Sequence, residues 1–64
     1  MIIAKFYKNA ECIEKWTYTQ YYGKKCVMSQ IKKLGIKLNA TDITISDNGQ
    51  LIFLERHKTR WFKL

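Results

Sequence analysis

The chain has 64 residues, twelve Lys/Arg against five Asp/Glu, a formal net charge of +7, two cysteines, one histidine and no proline. A chain this short forms one domain with a small core, because it buries only about 60% of the surface its unfolded form exposes. Two cysteines are too few for a disulfide scaffold, Cys12 and Cys26 make no CxxC pair, and His57 alone leaves a zinc site short of ligands, so neither metal nor cofactor is expected. The two thiols read as free and buried, in a reducing compartment, with a single disulfide as the alternative. Met1-Ile2-Ile3-Ala4 is apolar, but Lys5 ends the run well short of a signal-peptide core or a bilayer span, so a cytoplasmic protein without a membrane role is expected.

Residues 2–8 (IIAKFYK) are rich in β-branched and aromatic side chains and read as a strand. Asn9-Ala10 is a weak two-residue turn, lacking the glycine such turns favour. Residues 11–19 (ECIEKWTYT) read as the second strand. A two-residue loop sets Lys5 opposite Glu14, Ile3 opposite Trp16 and Phe6 opposite Ile13, joining opposite charges and apolar residues across the pair.

Gly23 to Gly35 reads as a helix. Val27, Ile31 and Leu34 recur at helical spacing and make an apolar stripe flanked by Cys26 and Met28, while Lys25, Ser29, Lys32 and Lys33 fall on the opposite side. Gly35 is placed as the left-handed residue that stops the helix. Residues 42–57 carry the clearest local signal, because Asp47-Asn48-Gly49-Gln50 is a type I′ hairpin turn that fixes the register. Ile45 then faces Ile52 and Ile43 faces Leu54 on an aliphatic core side, while Ser46 faces Leu51 and Thr44 faces Phe53 on the other. The expected fold is α+β, a single domain of ββαββ order with one helix packed on a four-stranded, mainly antiparallel sheet. Residues 58–64 (KTRWFKL) either add a strand or dock as a tail.

Charge is unevenly placed. No acid lies between Lys15 and Thr41, yet Lys15, Lys24, Lys25, Lys32, Lys33 and Lys37 do, and the tail adds Arg56, Lys58, Arg60 and Lys63. Segregation of this kind points to a polyanion or an acidic partner more than to solubility, which is served by mixed signs.

Two segments are singled out. In Tyr21-Tyr22-Gly23-Lys24-Lys25, a helix start carries lysines where Ser, Thr, Asp or Asn and acids are the rule, so local energetics oppose it and an anion site is suggested. Tyr21 and Tyr22 supply faces for stacking on bases; the plainer role is cover for the sheet. In Arg56-His57-Lys58-Thr59-Arg60-Trp61, basic residues alternate with an aromatic, a pattern suited to phosphates and a stacked base or to a protein hot spot; the plainer role has Trp61 and Phe62 closing the core. Lys32, Lys33 and Lys37 extend the basic helix surface. Glu55, Arg56 and His57 could imitate a sparse ribonuclease site, but strand alternation puts Arg56 on the opposite side from the other two, and no nucleophile or paired-carboxylate constellation accompanies them.

The expected function is therefore a non-catalytic binding protein associating with DNA or RNA non-specifically, or with a nucleoprotein complex. No recognition-helix or RNP motif indicates sequence readout. The competing expectation is a phage or mobile-element inhibitor of host machinery, of anti-CRISPR or antitoxin type, that docks on protein. A homodimer fits either.

Overall fold

The computed structural model describes residues 1–20 and 23–64. It holds β1 (Ile2–Lys8), β2 (Glu11–Tyr18), α1 (Lys24–Lys37), β3 (Asp42–Asp47), β4 (Gln50–His57) and β5 (Arg60–Lys63). The sheet has five strands in the order β2-β1-β3-β4-β5, each antiparallel to its neighbours. The α+β class and the helix-on-sheet layering hold. The strand number is corrected from four to five, because the tail turns back at Lys58, which takes φ 61, and pairs with β4.

The helix covers one side of the sheet. That side is written by alternation: Ile2, Ala4 and Phe6 from β1, Ile43 and Ile45 from β3 and Leu54 from β4 are buried beneath Val27 and Ile31. Ala40 completes a core with no buried polar side chain among the described residues. The β3–β4 register is the one the Asn48-Gly49 turn dictates, with Ile43 opposite Leu54 and Ile45 opposite Ile52. Asn48 and Gly49 take φ 50 and 91, as the turn type requires.

The β1–β2 hairpin departs from expectation. Asn9 and Ala10 form the tight turn, both at positive φ, and the pairs Lys8–Glu11 and Tyr7–Cys12 follow the expected count. A bulge then leaves Ile13 without a partner, so Phe6 meets Glu14, Ala4 meets Trp16 and Lys5 meets Lys15. The expected pairs Lys5–Glu14, Ile3–Trp16 and Phe6–Ile13 are thereby each displaced by one residue. A bulge here twists and blunts an edge strand, which protects it from pairing with other chains.

Two further expectations are corrected. Cys12 and Cys26 are free, but both are exposed, one on the edge strand and one on the helix surface away from the sheet. Gly35 does not end the helix: α1 runs through it to Lys37. The left-handed stop falls on Asn39, at φ 58, with the Asn39 N–H donating to the Ile36 carbonyl at 3.0 Å and the Ala40 N–H to the Gly35 carbonyl at 2.9 Å. These two bonds are the Schellman pattern, with asparagine in the place glycine usually takes. Gly35 is needed for contact instead. A Cβ there would lie 2.6 Å from Trp61 Cζ2 and 2.8 Å from Ile43 Cδ1.

Candidate functional site

The two segments singled out from sequence meet on one surface. Trp61 Nε1 donates to the Lys32 carbonyl at 3.0 Å, which ties β5 to the middle of α1. Along this seam runs an open groove of about 340 Å³ lined by Lys32, Lys33, Ile36, Thr59, Arg60, Trp61 and Phe62. A second, of about 740 Å³, is lined by Lys24, Lys25, Met28, Ser29, Lys32 and Lys33. Lys32 and Lys33 belong to both, so the grooves join into one cationic band from the helix start to β5. The helix contributes this because Lys25, Ser29, Lys32 and Lys33 occupy the arc opposite Val27 and Ile31, and no acid interrupts it.

Among the described residues, Lys25, Lys32, Lys33 and Arg60 form no ion pair. Their charge is therefore directed at solvent. Lys24 differs. Its Nζ lies 2.6 Å from Asp47 Oδ2, and Asp47 is only 11% exposed, so the lysine anchors the helix start to the end of β3. The helix start itself has Gly23 as N-cap with no side-chain bond and no acid in its first turn. The local cost expected of Lys24 is thus met by a tertiary partner, and the charge available to a ligand there comes from Lys25.

The remaining predicted residues separate. Tyr21 and Tyr22 lie outside the described residues. Lys37 is exposed in the last helical turn, where a cation also favours the helix dipole, and lines neither groove. Lys58 is exposed in the β4–β5 turn. Arg56 is half-buried, with Nη2 donating to Asn39 Oδ1 at 2.8 Å, so it braces the residue that ends the helix. Arg56→Lys is expected to cost about 0.5–1 kcal/mol in chemical denaturation, since ammonium does not reproduce the guanidinium geometry, while changing polyanion affinity less than loss of Lys33 does. Trp61 is half-buried and held by Gly35 and Lys32, which places it with the core more than with a ligand.

Glu55 and His57 share the other side of the sheet. His57 Nε2 lies 3.2 Å from Glu55 Oε1, and its ring meets Phe62 edge-on at 5.2 Å. Arg56 points away from them toward Asn39, as alternation requires. Burial pushes the Tyr18 phenol up from its ordinary value near 10. Among the described residues no group of His, Cys, Asp and Glu is arranged to hold a metal ion, and no helix is long and apolar enough to cross a membrane.

What the sequence reading missed is the other side of the sheet, where Leu51, Phe53 and Phe62 stand exposed. The signal was present in the pairing of Ser46 with Leu51 and Thr44 with Phe53, which put large apolar groups opposite the core side. The fold and surface together define a small helix-on-sheet domain with a segregated cationic face. Comparison with protein-family models, with curated proteins and with solved structures gives no match.

Proposed function

We propose that this domain binds nucleic acid non-specifically through the outer surface of α1 and the start of β5. The supporting observation is the continuous band in which Lys25, Lys32, Lys33 and Arg60 line joined grooves without acidic partners. Lysines spaced along a helix meet successive phosphates as point charges, and contact of this kind carries affinity without sequence information. Met28 and Ile36 give the groove floor an apolar component on which sugars rest. On this reading the protein is a cytoplasmic, non-catalytic binding domain that uses no cofactor. The apolar arc of α1 is committed to the core, so the helix has no second apolar side to offer a membrane.

Titration of isotope-labelled protein with random-sequence duplex and single-stranded oligonucleotides at low salt tests the reading. Amide shifts are expected at Lys25, Lys32, Lys33 and Arg60 with either ligand, and little change at Lys5 and Thr44. Absence of binding to every oligonucleotide, together with capture of an acidic protein that survives nuclease treatment, would instead support docking on a protein.

A further inference from the structure

The helix covers only one side of the sheet. The other side is laid out by the ladder in rows: Ile3, Ser46 and Leu51 form one, Lys15, Lys5, Thr44 and Phe53 the next, and Tyr7, Asp42, Glu55 and Phe62 the third. Leu51 is 63% exposed, Phe53 45% and Phe62 49%, and they are neighbours on β4 and β5. We infer that this uncovered side is the contact surface for a second copy of the chain.

Three observations select that occupant. First, the surface carries both signs of charge, Lys5 and Lys15 toward one edge and the cross-strand neighbours Asp42 and Glu55 further along. A polyanion laid here would meet the two carboxylates, whereas a copy of the same surface offers Lys5 its opposite in Glu55. The outer surface of α1 holds cations alone, so like copies repel there.

Second, an isologous contact makes each pairing twice. With a twofold axis passing near Phe53, the ladder spacing sets Lys5 of each copy over Glu55 of the other and Phe62 of each over Ile3, while Phe53 and Leu51 meet their own counterparts close to the axis. The apolar groups then lie toward the middle and the Lys5–Glu55 pairs toward the rim, with Asp42 at one end of the axis.

Third, the size is adequate. Five strands at about 4.8 Å spacing and about six residues at about 3.3 Å rise give a flat footprint on the order of 500 Å². Side-chain relief raises the accessible area toward the roughly 800 Å² per partner of a standard interface. Such an interface also adds apolar burial to a core of nine residues among those described.

The inference stands independently of the nucleic-acid reading, because Leu51 and Phe53 lie on the side of the sheet opposite the cationic band; Phe62, on the edge strand β5, also lines one groove, so Phe53→Glu is the variant that separates the two readings. Sedimentation equilibrium of the purified chain without nucleic acid, at high salt, tests it. A mass of twice 7.7 kDa is expected at accessible concentrations. Phe53→Glu and Phe62→Glu should each shift the population to monomer, with circular dichroism unchanged because both positions are exposed. Lys5→Glu and Glu55→Lys should each weaken the dimer, and the two changes together should restore it. Independently of any variant, side-chain resonances of Leu51, Phe53 and Phe62 should move with protein concentration while those of Lys25 and Lys33 stay fixed. A wild-type monomer up to about 1 mM, the concentration scale of the weakest specific contacts, overturns the proposal. So does a dimer indifferent to both phenylalanine substitutions.

Discussion

Gly35→Ala is expected to destabilise the domain by about 1–3 kcal/mol, the usual cost of overpacking a filled site. The sign is the informative part. In an exposed helix interior the same change stabilises by close to 1 kcal/mol, because alanine is the better helix former. Here the added methyl lies 2.6 Å from Trp61 Cζ2 and 2.8 Å from Ile43 Cδ1. The Ile43 methyl ends a flexible side chain and gives way at small cost. The indole is rigid and is also fixed by its bond to the Lys32 carbonyl, so its displacement loosens β5 from the helix. Thermal denaturation should register a fall of roughly 4–8 °C per kcal/mol for a domain of this size. Trp61→Phe removes the ring atoms that obstruct the methyl. In the double variant the two losses should therefore add to less than their sum, the mark of residues in direct contact. Simple additivity would show that the obstruction lies elsewhere.

The second large effect concerns binding. Lys32→Gln with Lys33→Gln removes the two cations shared by both grooves. If each meets one phosphate, the salt dependence of binding to duplex should flatten by about two units of log–log slope. The corresponding loss of affinity at low salt is about tenfold to a hundredfold, and anisotropy titrations with labelled oligonucleotides resolve it. Lys5→Gln with Lys15→Gln deletes the same charge from the opposite side of the sheet and should produce a much smaller loss. Equal effects from the two pairs would mean that only net charge matters, not the band.

Much of the fold was legible because its rules are local. The β1 and β4 limits, the Asn48-Gly49 turn and the register of Ile43 and Ile45 against their partners follow from alternation and turn chemistry alone. What failed depended on neighbours distant in sequence. Gly35 looks like a helix stop until Trp61 is found against it, and Asn39 then takes the left-handed position. The thiols of Cys12 and Cys26 look like core groups until Cys12 proves to stand on an exposed edge strand and Cys26 on an exposed position of α1. Ile13 is apolar and correctly spaced for the core, yet the bulge removes it from the ladder.

The candidate site was legible in part for the same reason. Helical spacing brings Lys25, Lys32 and Lys33 onto one arc, and that much is written in the chain. That Arg60 joins them follows only from β5 pairing with β4 and Trp61 bonding to α1. Conversely, Lys24 and Arg56 look equally available in the sequence, but Asp47 and Asn39 occupy them. The charge of this protein thus divides into residues that hold the fold and residues that face outward, a division sequence order does not reveal.

The salt dependence of wild-type binding to a random-sequence duplex tests the central claim most directly. Four phosphate contacts, from Lys25, Lys32, Lys33 and Arg60, predict a slope of about −3 to −4 in log affinity against log salt. Affinity that holds constant as salt is raised, or no measurable binding at low salt, would contradict the account.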